Sequence, residues 1–299
     1  MLKNKKAQQF VWIFSIIIGA IILFLAVYSA GKYMQTAKFK EEAELERQFD
    51  ILLTPFAAIG EIATMTLSKE VKMPADIELN FECSAIEDFE QIDVKTGKAE
   101  EREGPSYKIR GKYVFAESLK GKEFWIFAKP LELPWRIDDM IYIVSEEYCF
   151  PDPPENIKKE ISDLGSEKLR LDCSEESIVV CFEKRSGCDV YVNYDQGIVR
   201  KQGKVLFFAE DALLYGAIFS SAQVYECNVE RLMKRLSIQI ELNLAAAKKL
   251  EEKGCSTGAL QSSLNVMKDV VEKRPLLFEN IKYISDEAKQ NNPIECLVF

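Results

Sequence analysis

The chain of 299 residues has 48 acidic and 39 basic side chains, a formal net charge of −9, and no histidine. Without histidine it has no Ser-His-Asp or Cys-His catalytic arrangement, no zinc protease site and no haem ligated through histidine. The excess of negative charge argues against binding to the phosphate backbone of nucleic acid. We therefore expect no nucleic acid among its partners.

The first predicted element is a membrane-spanning helix. Residues 1–9 form a basic leader, and the following residues 10–30, from Phe10 through Trp12 to Ala30, carry no charged side chain. As a helix this segment is about 31 Å long, close to the thickness of the hydrocarbon core of a bilayer. A cleaved secretory signal has a shorter apolar core, of about 7–15 residues. The sequence predicts a single-pass anchor in the cell membrane, with the lipid bilayer as partner through residues 10–30.

The cysteines indicate which side of the membrane carries the large C-terminal region, because lysine and arginine residues flank the span on both sides. The chain has eight cysteines, all beyond the span, and an even number suits a disulfide framework in an oxidising compartment. No CxxC pair occurs, so the spacing does not indicate a metal site. We expect an extracytoplasmic, disulfide-bonded region; the alternative is a set of reduced core cysteines. The candidate disulfide cysteines are Cys83, Cys149, Cys173, Cys181, Cys188, Cys227, Cys255 and Cys296.

Two placements of these cysteines are expected from their positions along the chain. Cys173, Cys181 and Cys188 lie in the predicted β region, and Cys296 is expected to tie the C-terminal tail to the helical region.

The residues before the span resemble a known signal. The stretch Lys5-Lys6-Ala7-Gln8, followed at once by an apolar helix, resembles the class III signal of archaeal type IV pilins and pilin-like proteins. In that family a short basic leader is cut just before a Gln, so the resemblance implies processing between Ala7 and Gln8. Pilins carry a Glu at the fifth mature position, where this chain has Trp12. An uncleaved signal anchor is the alternative.

Residues 31–72 are predicted to continue the membrane helix as an amphipathic stalk. Apolar residues between Leu45 and Leu67 recur at steps of three and four, which places them on one helix face. A core helix that begins a separate domain would show the same pattern.

Residues 73–208 are predicted to form an α+β head domain with a mixed, mainly antiparallel β region. The segment Asp93–Gly104 is highly charged and is predicted to be a loop, and residues 154–164 a short helix. The predicted strands are Ile77–Cys83, Tyr107–Phe115, Phe124–Lys129, Met140–Val144, Ser177–Phe182, Asp189–Tyr194 and Ile198–Phe208.

Residues 209–299 are predicted to form a C-terminal helical hairpin or small bundle. One helix is predicted from Ala209 to Lys253, ended by Gly254, and a last helix between Pro275 and Gln290. The predicted fold class is thus α+β, with an N-terminal transmembrane helix, an amphipathic stalk, a β-containing head and C-terminal helices.

No segment indicates a catalytic residue, a metal site or a cofactor. The string Gly254-Cys-Ser-Thr-Gly258 matches GxSxG, but a nucleophile elbow needs a preceding strand and a histidine partner, so we interpret it as a turn between helices. The acidic pairs Asp138-Asp139 and Glu146-Glu147 could serve glycoside hydrolysis or Ca²⁺ binding. In a chain with 48 acidic residues they are better explained as solvated surface.

These features predict a non-enzymatic cell-envelope protein, either a pilin-like subunit or a surface scaffold. Its expected partners are other envelope proteins, including further copies of itself. Two alternatives are a membrane-anchored enzyme that uses carboxylates, such as a glycan hydrolase, and a cytoplasm-facing domain that recruits partners to the membrane.

Overall fold

The computed structural model describes residues 12, 14–34, 67–84, 91–96, 106–182, 186–273 and 278–299. The chain divides into two units, Met1–Leu52 and Leu53–Phe299. The leader residues Ala7 and Gln8, the first anchor residue Phe10 and most of the predicted stalk lie outside the described residues.

The described part of the first unit is one apolar helix, α1 (Phe14–Met34), with a mean hydropathy of 2.3. No part of this helix is buried against protein, and Trp12 and Ala30 are exposed and helical. Among the described residues, α1 is the one helix long and apolar enough to cross a membrane. An N-terminal apolar helix is therefore present, as the sequence predicts.

The second unit contains two six-stranded sheets. The first has the order β3-β2-β1-β5-β6-β4 and is antiparallel except for the pair β4 and β6. Its strands are β1 (Leu67–Ser84), β2 (Gln91–Thr96), β3 (Ser106–Arg110), β4 (Tyr113–Phe115), β5 (Leu119–Glu132) and β6 (Arg136–Val144). The long strands β1 and β5 pair with each other and occupy the two central positions of this sheet.

The second sheet has the order β12-β11-β10-β9-β7-β8. Strands β10, β11 and β12 are antiparallel neighbours, whereas β10, β9, β7 and β8 run parallel. Its strands are β7 (Tyr148–Cys149), β8 (Leu169–Arg170), β9 (Ile178–Cys181), β10 (Val190–Asn193), β11 (Ile198–Lys201) and β12 (Lys204–Phe207).

Within the described part of the second unit, five helices accompany these sheets and confirm the α+β class. They are α2 (Glu155–Leu164), α3 (Asp211–Phe219), α4 (Ala222–Glu251), α5 (Gly258–Glu272) and α6 (Phe278–Asn291). Helix α3 contacts β5 and β6 of the first sheet and β11 and β12 of the second. One hydrophobic core joins the sheets and the helices across the predicted boundary at residue 208.

Aromatic rings fill the core around α3. Phe219 lies 4.9 Å from Tyr148 and 5.7 Å from Phe127 between ring centroids, in edge-to-face geometry. Gly216 faces the ring of Phe115, and a Cβ there would lie 2.8 Å from two ring carbons. The close approach of α3 to β4 therefore requires glycine.

Several predicted segments differ from the structure. The predicted helix over 209–253 is two helices, because Ser220 is extended and the Ser221 side chain accepts the Val224 N–H, which starts a new helix, α4.

Three predicted strand or loop segments also differ. The predicted loop Asp93–Gly104 begins as strand, since β2 extends to Thr96 and pairs with β1. The predicted strand Ile198–Phe208 is a hairpin that turns at Gln202–Gly203, both with positive φ. Strand β1 begins at Leu67, within the range predicted as stalk.

All eight cysteines lie in four pairs at disulfide distance, which confirms the predicted framework. The pairs are Cys83–Cys227, Cys149–Cys173, Cys181–Cys188 and Cys255–Cys296. The first joins β1 to α4 across 144 residues, and the last joins the C-terminal tail to the turn after α4. Each bond of this kind typically contributes about 2–4 kcal/mol to the free energy of unfolding.

Candidate functional site

A cavity of about 300 Å³ opens where the second sheet meets α3 and α6. Its residues come from the β10–β11 turn, the segment that links β12 to α3, and one face of α6. They are Tyr194, Asp195, Gln196, Gly197, Phe208, Ala209, Asp211, Lys282, Tyr283 and Asp286. The volume is at the lower end of the range for small-molecule sites.

A tight turn forms one wall of the cavity. Gly197 has φ +63°, and a Cβ there would lie 2.4 Å from the carbonyl oxygen of Phe208. That approach lets the Phe208 N–H donate to the Gly197 carbonyl at 2.8 Å. The Asn193 side chain accepts the Gln196 N–H at 3.1 Å, which closes the turn. Glycine is therefore required for β10 and the end of β12 to meet at the cavity.

Asp211, the first residue of α3, forms the inner wall and accepts hydrogen bonds from two side chains. The Tyr194 hydroxyl donates to its Oδ1 at 2.7 Å, and the Asn156 Nδ2 donates to its Oδ2 at 3.1 Å. Asn156 also donates to the Tyr194 hydroxyl at 2.8 Å. Burial and the Asp211 carboxylate together raise the pKa of Tyr194, so the phenol stays protonated and donates.

Behind Asp211 lies a largely buried ion-pair network centred on Lys129. The Lys129 ammonium bonds to Glu160 and lies 3.9 Å from the second oxygen of Asp211. The Tyr215 hydroxyl donates to Glu160 at 2.7 Å, and the Lys129 nitrogen lies 5.5 Å from the centre of the Tyr215 ring. Burial, with the Glu160 charge next in size, raises the pKa of Tyr215. One lysine thus compensates two carboxylates, and the network holds α2, α3 and β5 together.

The outer wall joins α6 to the start of α3 through a solvent-accessible ion pair. Lys282 lies 3.6 Å from Glu210. Burial raises the pKa of Glu210, and the Asp211 and Asp286 charges raise it further, while Lys282 and Lys289 lower it. The carboxylates of Asp211 and Asp286 are therefore close enough to Glu210 to affect its protonation.

Two carboxylates of the cavity are not engaged. The side chains of Asp195 and Asp286 make no hydrogen bond or ion pair with any residue in the described part of the chain. Beside Asp286 on α6, the Tyr283 side chain is 71 % exposed although it is aromatic. The cavity therefore combines free negative charge with an accessible ring.

The acidic pairs singled out in the sequence lie elsewhere. Arg136 holds both oxygens of Asp139 at 2.5 Å, and Arg235 lies 3.1 Å from Asp138, whose pKa burial raises. Such pairing is typical of structural carboxylates. Glu146 and Glu147 precede β7 and are at least partly exposed.

The GxSxG string is a turn between helices, as interpreted. Gly254 has positive φ and follows α4, Cys255 is bonded to Cys296, and Thr257 donates to the Ala247 carbonyl at 3.0 Å. The element directly before Ser256 is the helix α4, whereas a nucleophile elbow requires a strand there.

Within the described residues, no group of three or more Cys, Asp or Glu side chains is arranged to hold a metal ion.

No family model, curated protein or solved structure matches this chain. The predicted strands Asp189–Tyr194 and Ile198–Phe208 enclose the turn that forms one cavity wall. The sequence did not indicate that role, because the facing residues lie on α6, about 85 positions later.

Proposed function

We propose that this protein is anchored in the cell membrane by α1 and acts outside the cytoplasm by binding other components of the cell envelope, not by catalysis. The observation that carries the proposal is the combination of one exposed apolar helix with a second unit in which every cysteine is paired. Disulfides persist in oxidising compartments and are rare in a reducing cytoplasm.

The pairing of the cysteines supports an extracytoplasmic location more strongly than their even number alone. Cys83 and Cys227 are 144 residues apart, yet their Cα atoms lie 5.9 Å apart, within the usual range for a disulfide. Three further pairs satisfy the same distance criterion, and no cysteine is left over. Cysteines scattered as small core residues have no reason to meet four times in this way.

The non-enzymatic part of the proposal is supported by the chemistry of the head. The chain has no histidine, Asp138 and Asp139 are engaged by arginines, and Glu160 and Asp211 share Lys129. A carboxylate glycosidase needs one carboxyl group that burial keeps protonated as the acid, and a second one that acts as base or nucleophile on the same bond. The two unpaired carboxylates of the cavity, Asp195 and Asp286, are both exposed to solvent.

The finer part of the proposal is pilin-like processing, and it rests on the leader alone. Lys5-Lys6-Ala7-Gln8 stands directly before the apolar segment. Cleavage between Ala7 and Gln8 would remove seven residues and leave the helix at the new N-terminus. With Trp12 in place of the pilin glutamate, we propose a surface scaffold in preference to a filament subunit.

Intact mass of the protein from its native membrane tests the location and the processing together. Thiols are alkylated before and after reduction. Eight alkylations that occur only after reduction support the extracytoplasmic head, whereas eight free thiols in the unreduced sample reject it and favour a cytoplasm-facing domain. Loss of residues 1–7 supports processing.

A variant separates processing from anchoring. With Ala7→Trp we expect the full-length form to accumulate in the membrane, because the leader of such signals ends in a small residue. Gln9→Asn, one residue beyond the predicted cleavage position, is the matched control and should be processed as before. Unchanged processing of Ala7→Trp would reject the cleavage position without affecting the location.

A further inference from the structure

We propose that the cavity between the β10–β11 turn and α6 binds an alkylammonium group, supplied either by a small free amine or by a lysine side chain of a protein partner. The proposal concerns the second unit alone and does not depend on the side of the membrane that the head faces.

The charge of the cavity is the first argument. Its walls carry three aspartates and one lysine. Asp211 is satisfied by Tyr194, Asn156 and the Lys129 network, and Lys282 is paired with Glu210. Once these internal pairs are accounted for, the two remaining charges, on Asp195 and Asp286, are both negative. A cation entering the cavity therefore meets uncompensated carboxylates, whereas an anion meets repulsion.

The aromatic lining is the second argument and is independent of the charge. Tyr283 is 71 % exposed on α6, and the rings of Tyr194 and Phe208 lie 6.0 Å apart in the opposite walls. An aromatic ring exposed to this degree contributes little to the core. Its face attracts an ammonium group, by about 0.5–1 kcal/mol at an exposed site.

The volume of the cavity is compatible with such a ligand. A cavity of about 300 Å³ is large enough for one extended lysine side chain or a small linear amine. Because the Asp211 oxygens are already accepting hydrogen bonds, the ammonium donors are directed to Asp286 and Asp195. An ammonium group only donates hydrogen bonds and an ionised carboxylate only accepts them, so the two groups are complementary.

Titration of the full chain in non-ionic detergent micelles with three probes tests the proposal. The probes are N-acetyl-lysine amide, spermidine, and the Nε-acetylated form of the lysine amide, which has the same backbone but no charge. We expect saturable binding of at least one of the two amines, weaker at higher salt, and no saturable binding of the neutral analogue. Preference for the lysine amide indicates a protein partner, and preference for spermidine indicates a free amine.

Variants locate the binding. Asp286→Asn and Tyr283→Ala, both at exposed positions, should each weaken binding of the preferred amine about 2- to 5-fold. Asp195→Asn combined with Asp286→Asn should weaken it about 10-fold or more. Asp269→Asn is the matched control, because Asp269 is 72 % exposed on α5 and lies outside the cavity lining.

Thermal melting of each variant shows whether the fold is kept. Equal binding of the neutral analogue, absence of saturable binding by both amines, unchanged affinity in the Asp195 and Asp286 double variant, or an equal loss in Asp269→Asn would each overturn the proposal.

Discussion

The two ends of α3 are stabilised by the same type of interaction in different surroundings. At the C-terminal end, the buried Lys201 ammonium donates to the carbonyls of Ile218 and Ser220 at 3.0 and 2.9 Å and pairs with Glu117 at 3.2 Å. At the N-terminal end the charged group is the carboxylate of Asp211. A cation at the C-terminus and an anion at the N-terminus of a helix both favour the helix dipole.

The two ends differ in how far solvent and ligands can reach the charged group. The Lys201 side chain is 4 % exposed and is enclosed by protein, whereas Asp211 is 21 % exposed and lines a cavity. The C-terminal end therefore contributes to stability only, while the N-terminal end combines a structural charge with a surface that a ligand can reach. Substitutions at the two ends should separate these roles.

The largest expected effect comes from the aromatic core at the C-terminal end. Phe219→Ala removes a ring that contacts four or more others and leaves a cavity that the packed core cannot close. We expect the free energy of unfolding to fall by about 3–5 kcal/mol, measured by urea denaturation of the full chain in detergent. Tyr283→Ala, an exposed aromatic at the other end, should change it by less than about 0.5 kcal/mol. Equal losses would contradict the contrast between the ends.

The second effect concerns the enclosed cation. Lys201→Met keeps the length of the side chain but leaves the carbonyls of Ile218 and Ser220 without their donor. We expect a loss of about 2–4 kcal/mol in the free energy of unfolding. Lys204→Met, at an exposed position in the same hairpin, is the control and should have little effect. A loss below that of the control would mean that Lys201 does not stabilise α3.

A smaller effect is expected at the open end. Tyr194→Phe removes the hydroxyl that donates to Asp211 and accepts from Asn156. Since water reaches the site and replaces part of this bonding, we expect a loss of about 0.5–1.5 kcal/mol. Tyr191→Phe, in the strand β10 that precedes the turn, is the control, because the Tyr191 hydroxyl makes no hydrogen bond within the described residues. Similar melting curves for both variants would exclude a structural role for the Tyr194 hydroxyl.

The smallest effect is a pH dependence at the outer wall. The pKa of Glu210 is raised above 4.5, so the folded state binds its proton more tightly than the unfolded state. The resulting stability is fully present below about pH 4.5 and is lost as the pH rises through the folded pKa. The stability of the wild type relative to Glu210→Gln should therefore decrease from pH 4 to pH 7. An increase over that range would show that the pairing with Lys282 outweighs burial.

Elements with a strong local pattern were predictable. The uninterrupted apolar segment before Gly31, the alternation in Ile77–Cys83 and the helix at 155–164 each depend on neighbours a few residues apart, and each is present in the structure. The expectation that Cys296 ties the tail to the helices also agrees with its partner Cys255.

Breaks and pairings that depend on distant contacts were not predictable. The apolar residues on either side of Ser220 continue one helical pattern, yet α3 ends there because Lys201 and Ser221 bind the helix ends. The parallel pairs between β7, β8 and β9 give no local signal, since a short buried strand has the same composition in either direction.

The sequence alone therefore determined the N-terminal apolar helix, the α+β class and the presence of a disulfide framework, because composition, the spacing of apolar residues and the even number of cysteines do not depend on which distant residues meet. Only the tertiary structure decided the four cysteine pairs, the enclosure of Lys201 and the cavity, because these join residues up to 144 positions apart. The cavity brings the turn at Tyr194, the start of α3 at Asp211 and the α6 residue Asp286 together. Which charges remain unpaired there depends on the packing of all three segments.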